Sequence, residues 1–220
     1  MSAPRLVLAS ASPARAELLA AAGFRFEVRP APEEAERAAL VAAGKRAATA
    51  EETVLAAAGA KAEAAAAAID GAAVVLAADT VAVSARGRLL GKGRDDREDA
   101  GILAELSGTR HRVLTAAVLL AEPGGVRREL LDSTEVEMSP MTASEIAAYV
   151  AAGGARGAAG AYRLQQGGTD RYVRIAAGSF SNVVGLPMEK IIPALAEFGV
   201  RPAKDKDKSK GKRHGQTGNA

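Results

Sequence analysis

A chain of 220 residues that is 48% hydrophobic has enough apolar content for one large domain or a domain with two lobes, and the absence of cysteine excludes disulfide frameworks and thiol nucleophiles. His111 and His214 are the only histidines, which argues against a zinc site; no stretch reaches the roughly 18 apolar residues of a membrane span, so the chain reads as cytoplasmic with no membrane partner. The net charge of +3 comes from one end: from Arg201 onward seven Lys/Arg face Asp205 and Asp207, giving +5 and leaving −2 for residues 1–200.

Leu6–Ala9 reads as a short buried strand. Ser10-Ala11-Ser12-Pro13 then starts a helix with Ser12 as N-cap, Pro13 at the first helical position and Gly23 at its close. Arg15 falls in the first turn, where the helix dipole is already positive. Either an anion such as phosphate docks there, or Arg15 snorkels to water beside Leu18 and Leu19. Phe24–Val28 is expected as a second strand, and residues 30–37 as a loop rich in Pro and Glu that contains Glu33, Glu34 and Glu36. Residues 38–69 are strongly helical, with Thr49 and Glu52 at capping-box spacing and Lys61 alone among alanines.

Val74–Val83, VVLAADTVAV, is a continuous apolar run that reads as a strand buried on both faces. It carries one acid, Asp79, followed by Thr80. An ionised carboxylate in such a place costs several kcal/mol unless paired, so Asp79 either lies at a strand mouth or holds a cation, or else Asp79-Thr80 simply ends the strand and turns the chain.

Residues 84–87 turn the chain into a returning strand, RLLGK. The segment GRLLGKG has one residue too few between its glycines for a phosphate-binding P-loop and lacks the following Ser/Thr. What remains is Lys92, between a strand end and a helix that starts near Asp95/Asp96 and stops at Gly108. Residues 111–121 form the next apolar strand, and 126–138 one long strand or two. Thr142 and Glu145 repeat the capping-box spacing before a short helix. Residues 161–165 and 172–175 read as a hairpin, 178–187 as an apolar irregular segment, and 188–198 as a closing helix. The lysine-rich residues 201–220 read as a disordered tail, leaving 1–200 as a single domain.

Together, Ser10-x-Ser12-Pro13-x-Arg15-x-x-Leu18-Leu19, Ala78-Asp79-Thr80, Gly91-Lys92, Leu106-Ser107-Gly108-x-x-His111, Ala159-Gly160-Ala161-Tyr162 with Gln165, and Val184-Gly185-Leu186-Pro187 occur in one order and spacing. In this the chain resembles the Maf family of nucleoside triphosphate pyrophosphatases over nearly all of residues 5–199. The resemblance implies a mixed α/β fold, with a central twisted mixed sheet flanked by helices and two lobes around a nucleotide-binding cleft. It also implies a homodimer that hydrolyses a nucleoside triphosphate to the monophosphate and pyrophosphate with a divalent cation, Mg²⁺ or Mn²⁺.

By the same resemblance, Asp79 and an upstream glutamate serve metal binding and water activation. Glu36 is the better match for that glutamate, and Glu34 is the alternative under a one-residue shift. Ser10, Ser12, Arg15, Lys61 and Lys92 match positions that line the phosphate site. Thr80 and Gln165 match positions near the base, in the form carried by the branch acting on dTTP and UTP. A triphosphate with about four negative charges needs such a set of cations and a helix N-terminus.

Three positions depart from the family pattern. Ala14 stands where a second arginine is usual, Ala158 where a lysine is usual, and Gly93 where a proline is usual. Two positive charges are therefore missing, with Arg156 or Arg163 as candidates to replace them. The departures raise a second reading, a weakened relative that binds nucleotide or a division-related partner without turnover. Nucleic acid is not an expected partner, since aromatic residues make up only 3% of the chain.

Overall fold

The computed structural model describes residues 4–46, 48–164 and 171–203. Gln165 and the basic residues from Lys204 onward lie outside the described residues. In chain order the elements are β1 (Arg5–Leu8), α1 (Pro13–Ala21), β2 (Glu27–Val28), α2 (Glu33–Lys45), α3 (Ala50–Ala66), β3 (Ala73–Val83), β4 (Leu89–Leu90), α4 (Asp96–Leu106), β5 (Arg110–Glu122), β6 (Val126–Met138) and α5 (Ala143–Ala151). A 3₁₀ turn (Ala159–Ala161), β7 (Val173–Ala177), α6 (Phe180–Val184) and α7 (Met188–Glu197) complete them.

All seven strands form one mixed sheet in the order β2-β1-β3-β5-β6-β7, with β4 paired to the far end of β3. β1 runs parallel to β2 and β3, while β3, β5, β6 and β7 are successively antiparallel. The apolar run identified in the sequence is the central strand β3, buried as expected at both ends. On one side it pairs along its full length with β5, including Asp79 opposite Ala116 and Thr80 opposite Thr115. On the other it pairs with β1 only over Ala73–Leu76 and with β4 only at Ala82 and Val83. Between those pairings β1 and β4 part from β3, and Asp79 and Thr80 lie in the gap. Such divergence points are where open α/β sheets bind ligands.

Two hydrophobic clusters cover opposite faces of the sheet's first half. One gathers Leu6, Leu8, Leu19, Leu76, Ile191 and Leu195 between β1, β3, α1 and α7. The other gathers Val54, Ala58, Ala62, Val75 and Val118 beneath α3, whose run of Ala and Gly brings its backbone close to the sheet. A third, containing Leu103, Leu106, Val113, Val136, Ile146 and Val150, joins α4 and α5 to the far end of β3 and β5.

Four local expectations change. The acidic segment is not a loop, because α2 begins at Glu33 and places Glu33, Glu34 and Glu36 in its first turn, where carboxylates offset the helix dipole. The long helix expected over 38–69 is divided between α2 and α3, and the Thr49–Glu52 capping box starts a new helix, with Thr49 N donating to Glu52 Oε2 at 2.8 Å. β7 pairs with β6 rather than with residues 161–164, which form no strand. The irregular segment 178–187 contains α6, capped by Ser179 and closed by Gly185 in the left-handed region.

Candidate active site

Successive residues of a strand face opposite sides, so Asp79 and Thr80 point to different faces of the gap. Asp79 points toward α3. There Lys61 Nζ lies 2.8 Å from Asp79 Oδ1 and 2.7 Å from Glu36 Oε2. The lysine and aspartate side chains are 12% and 14% exposed, against 33% for Glu36. The lone lysine of the alanine helix is thus the counter-ion of two carboxylates brought together from α2 and β3. The structure also separates the two glutamate candidates: Glu36 enters this cluster, while Glu34 is exposed on α2.

On the other face Arg15 is buried, 8% exposed, and does not snorkel to water. Its Nε donates to the Gly185 carbonyl at 2.8 Å, Nη1 to Ser10 Oγ at 3.0 Å and the Ala78 carbonyl at 2.8 Å, and Nη2 to Thr80 Oγ1 at 3.0 Å. Four of the five guanidinium N–H groups are engaged within the protein. Burial pulls the Arg15 pKa down, and the negative charges of Asp79 and Glu36 oppose that pull. The guanidinium stays charged, as arginine does throughout the physiological range.

Ser10 follows β1 and opens the turn into α1. Its Oγ accepts from Arg15 Nη1 and, at 3.2 Å, from the Ser12 N–H. Both acceptor positions are filled, which leaves its O–H as a donor. Ser12 is the N-cap of α1, as its position before Pro13 predicts, but its side chain makes no capping hydrogen bond. The serine-rich turn therefore offers hydroxyl donors at a helix N-terminus whose amides carry no side-chain cap. Lys92 follows β4 on the other side of the gap. It is exposed and forms no ion pair with a described residue. Since β4 runs back along β3, the chain leaving it at Gly91 heads toward Thr80 and Asp79.

Neither arginine offered as a replacement for the missing charges is free of other contacts. The Arg163 guanidinium donates to the Arg156 carbonyl, and Arg156 lies 3.9 Å from Asp96. Arg156 lines a cavity of about 610 Å³ with Gly93, Arg94 and Asp99, next to Lys92 in sequence. Gly93 itself has a physical reason. A Cβ there would lie 2.1 Å from Asp99 Oδ1 and 2.8 Å from the Asp99 backbone nitrogen, so neither proline nor alanine fits beside the buried Asp99.

Several residues with no role assigned from sequence complete the site. Thr115, 0% exposed, lies 3.1 Å from Thr80 Oγ1 and donates to the Asn182 carbonyl at 2.8 Å. It could have been noticed as the one hydroxyl in the apolar run VLTAAVLL. His111 and Tyr162 meet at 2.8 Å between Nε2 and Oη beneath the 3₁₀ turn. Gly160, whose N–H donates to the Gly91 carbonyl at 3.1 Å, leans on the Tyr162 ring. This pair holds the segment that carries Lys92.

The arrangement places a carboxylate pair around one positive charge on one side of β3 and hydroxyl donors with a buried guanidinium on the other. Comparison with known proteins gives the family. Residues 5–198 match the family described as Maf-like protein. A dTTP/UTP pyrophosphatase of Anaeromyxobacter is 42% identical over 205 residues, covering 89% of this chain and 90% of the relative. Those of Polaromonas and Rhodospirillum rubrum are 36% and 41% identical, covering 88% and 91% of this chain and 96% and 90% of theirs. With the family match spanning residues 5–198, this chain belongs to the Maf-like protein family.

Proposed function

We propose that this chain is a hydrolase that converts dTTP or UTP to the nucleoside monophosphate and pyrophosphate at the gap beside Asp79. The observation that carries this reading is the convergence of Asp79 and Glu36 on a single cation, the Lys61 ammonium, within 2.8 Å. The names of the relatives supply the substrate class.

The same convergence is the test of fit for a divalent metal. Among the described residues no group of three or more Asp, Glu, His or Cys could hold one. Mg²⁺ favours one or two carboxylates, with waters and phosphate oxygens filling the rest of its sphere. Asp79 and Glu36 fit that requirement, and Mg²⁺ or Mn²⁺ would take their charge in place of Lys61. When bound, the ion withdraws charge from the phosphoryl oxygens and the departing pyrophosphate.

The protein's own groups divide the remaining work. Ser10 donates its free O–H to a phosphate oxygen, and the α1 N-terminus and Arg15 supply positive potential to the triphosphate. Ser12 and Lys92 add a hydroxyl and a mobile charge from either side of the gap. Only one Asp79 oxygen, Oδ1, is engaged by Lys61, so Oδ2 is open to accept a proton from the attacking water whichever cation Oδ1 faces. Water oxygen bonds to the α-phosphorus, the bond from that phosphorus to the α–β bridging oxygen breaks, and pyrophosphate leaves with the electron pair. No covalent intermediate with the protein is needed. Thr80 and Gln165 are assigned to the base.

The resemblance also supports residues 1–200 as one catalytic domain and a homodimer, and we place the chain in the cytoplasm. Among the described residues no helix is long and apolar enough to cross a membrane.

A nucleotide panel with product identification tests the reading. Pyrophosphate and a monophosphate are expected from dTTP and UTP with Mg²⁺ or Mn²⁺. Release of orthophosphate instead, or no release from either nucleotide, would reject it. One observation favours a second reading. Arg15 has only one N–H left for substrate, and Ala14 and Ala158 supply none, so a chain that binds nucleotide without turnover would show calorimetric binding and a background pyrophosphate rate.

A further inference from the structure

A hydroxyl has one proton and two lone pairs, and the neighbours of Thr80 determine how each is used. Thr115 Oγ1 lies 2.8 Å from the carbonyl oxygen of Asn182, which only accepts, so the single Thr115 proton goes there. The 3.1 Å contact between Thr80 Oγ1 and Thr115 Oγ1 therefore runs one way, with Thr80 donating. Arg15 Nη2, 3.0 Å away, only donates, and it occupies one Thr80 lone pair. Thr80 retains a single lone pair and no proton.

The parts that impose this are held firmly. Thr115 and Asn182 are both 0% exposed. The Asn182 side chain is tied through Nδ2 to the Val113 carbonyl at 3.0 Å and to Thr134 Oγ1 at 2.9 Å. Gly185, at φ +111°, keeps the space beside the hydroxyl clear, since a Cβ there would come within 3.1 Å of Thr80 Oγ1 and 3.2 Å of Arg15 Nε. Thr80 itself is half-buried at the gap.

We infer that Thr115, acting through Thr80, is a positioning residue for base selection: it leaves Thr80 an acceptor only, so the cleft selects a pyrimidine whose ring N3 carries a proton. Thymine and uracil present an imide N3–H. Cytosine presents an unprotonated N3, which would face the Thr80 lone pair. This inference rests on the proposed dTTP/UTP activity with Thr80 beside the base, and it adds the group that sets the preference.

The test compares pyrophosphate release from UTP, CTP and N3-methyluridine triphosphate. The wild-type protein is expected to show kcat/KM values for CTP and the N3-methyl analogue roughly 10- to 100-fold below that for UTP, the range for a hydrogen-bonding group left unpaired. Thr115→Val frees the Thr80 proton to turn into the cleft and donate to cytosine N3. The UTP-to-CTP ratio then falls at least about fivefold, mostly through a lower KM for CTP, while Thr115→Ser keeps the wild-type ratio. A ratio taken within one variant is independent of how much of it is folded, and the N3-methyl analogue needs no variant at all. Equal use of UTP and the N3-methyl analogue, or an unchanged ratio in Thr115→Val, overturns the inference while leaving the pyrophosphatase reading intact. Failure to hydrolyse any nucleotide overturns both.

Discussion

Lys61 Nζ stands 2.8 Å from Asp79 Oδ1, so the acid of the central strand is an ion-paired carboxylate at the open side of β3 rather than a turn residue. Glu36 Oε2 shares the same ammonium at 2.7 Å. If this pair handles water and metal, Asp79→Asn should abolish pyrophosphate release, and Glu36→Gln should lower it about 10²- to 10³-fold. Glu34→Gln should stay within about twofold of wild type, because Glu34 faces solvent. Initial rates on dTTP check all three. Comparable losses from Glu34→Gln and Glu36→Gln would remove Glu36 from its role.

Lys61 holds the place a divalent cation would take, and the two must compete. Lys61→Met leaves Asp79 and Glu36 facing each other without a counter-charge, a repulsion that a metal relieves. Calorimetric titration with Mn²⁺ alone, without nucleotide, should show affinity raised about tenfold, while turnover of dTTP falls for want of a cation at the triphosphate. Unchanged Mn²⁺ affinity would mean that the ammonium and the metal do not share these carboxylates.

Arg15 is a structural centre as well as a charge. It ties the Gly185 carbonyl, the Ala78 carbonyl, Ser10 and Thr80 into one fixed set. Lysine keeps the charge but not the planar fork of donors, and leaves buried carbonyls unpaired. Arg15→Lys should therefore cost roughly 2–3 kcal/mol, or about 4–12 °C in Tm, beyond any loss of activity. Calorimetric melting checks this, and an unchanged Tm would show that the hydrogen bonds are replaced by water.

Much of this was legible in the chain, for identifiable reasons. The run VVLAADTVAV named the central strand because burial on both faces leaves only apolar residues and one costly acid. The Thr49–Glu52 and Thr142–Glu145 pairs marked helix starts because the capping box is local chemistry. Local pattern also misled: three glutamates and two prolines resemble a loop, yet Glu33, Glu34 and Glu36 suit a helix N-terminus equally well. The strand partner of β7 was missed because residues 161–164 are nearer in sequence than β6. What could not be read was the pairing across the sheet that turns Thr115 and Asn182 into neighbours of Thr80, since their contacts span 35 and 67 residues of chain.

His111 gives the fold a dependence on acid. It is 3% exposed and pairs through Nε2 with Tyr162, while Nδ1 has no hydrogen-bond partner. Burial lowers its pKa from 6.5 to about 4. Between those values the unfolded chain binds a proton that the folded chain refuses, so the stability from this group is complete above pH 6.5 and lost as pH falls toward 4. The loss is about 3 kcal/mol across that window. Urea unfolding from pH 7.5 to 4.5 should show this slope in the wild type, and His111→Phe should flatten it whatever its absolute stability. Parallel pH profiles would remove His111 as the source.

Asp99 acts in the opposite direction. It lies in the first turns of α4, 4% exposed, and Oδ1 has no hydrogen-bond partner. Burial raises its pKa, the Gly93 N–H works against that rise, and Asp96, Asp95 and Glu98 add to it. A carboxyl whose folded pKa is raised contributes fully when protonated, below its ordinary value of 3.8, and that contribution is lost as pH climbs through the raised folded value. Ionising Asp99 therefore costs the folded state stability. Asp99→Asn keeps the shape and the acceptor for Gly93 but carries no charge. It should raise stability at pH 7 by about 1 kcal/mol, or about 2–4 °C in Tm, with the advantage shrinking as pH approaches 4. Melting curves at pH 4 and pH 7 decide it, and a destabilised Asp99→Asn at pH 7 would show that the ionised carboxylate has a partner of its own, in which case the pair of Gly93 and Asp99 holds the Lys92 segment by charge rather than by fit.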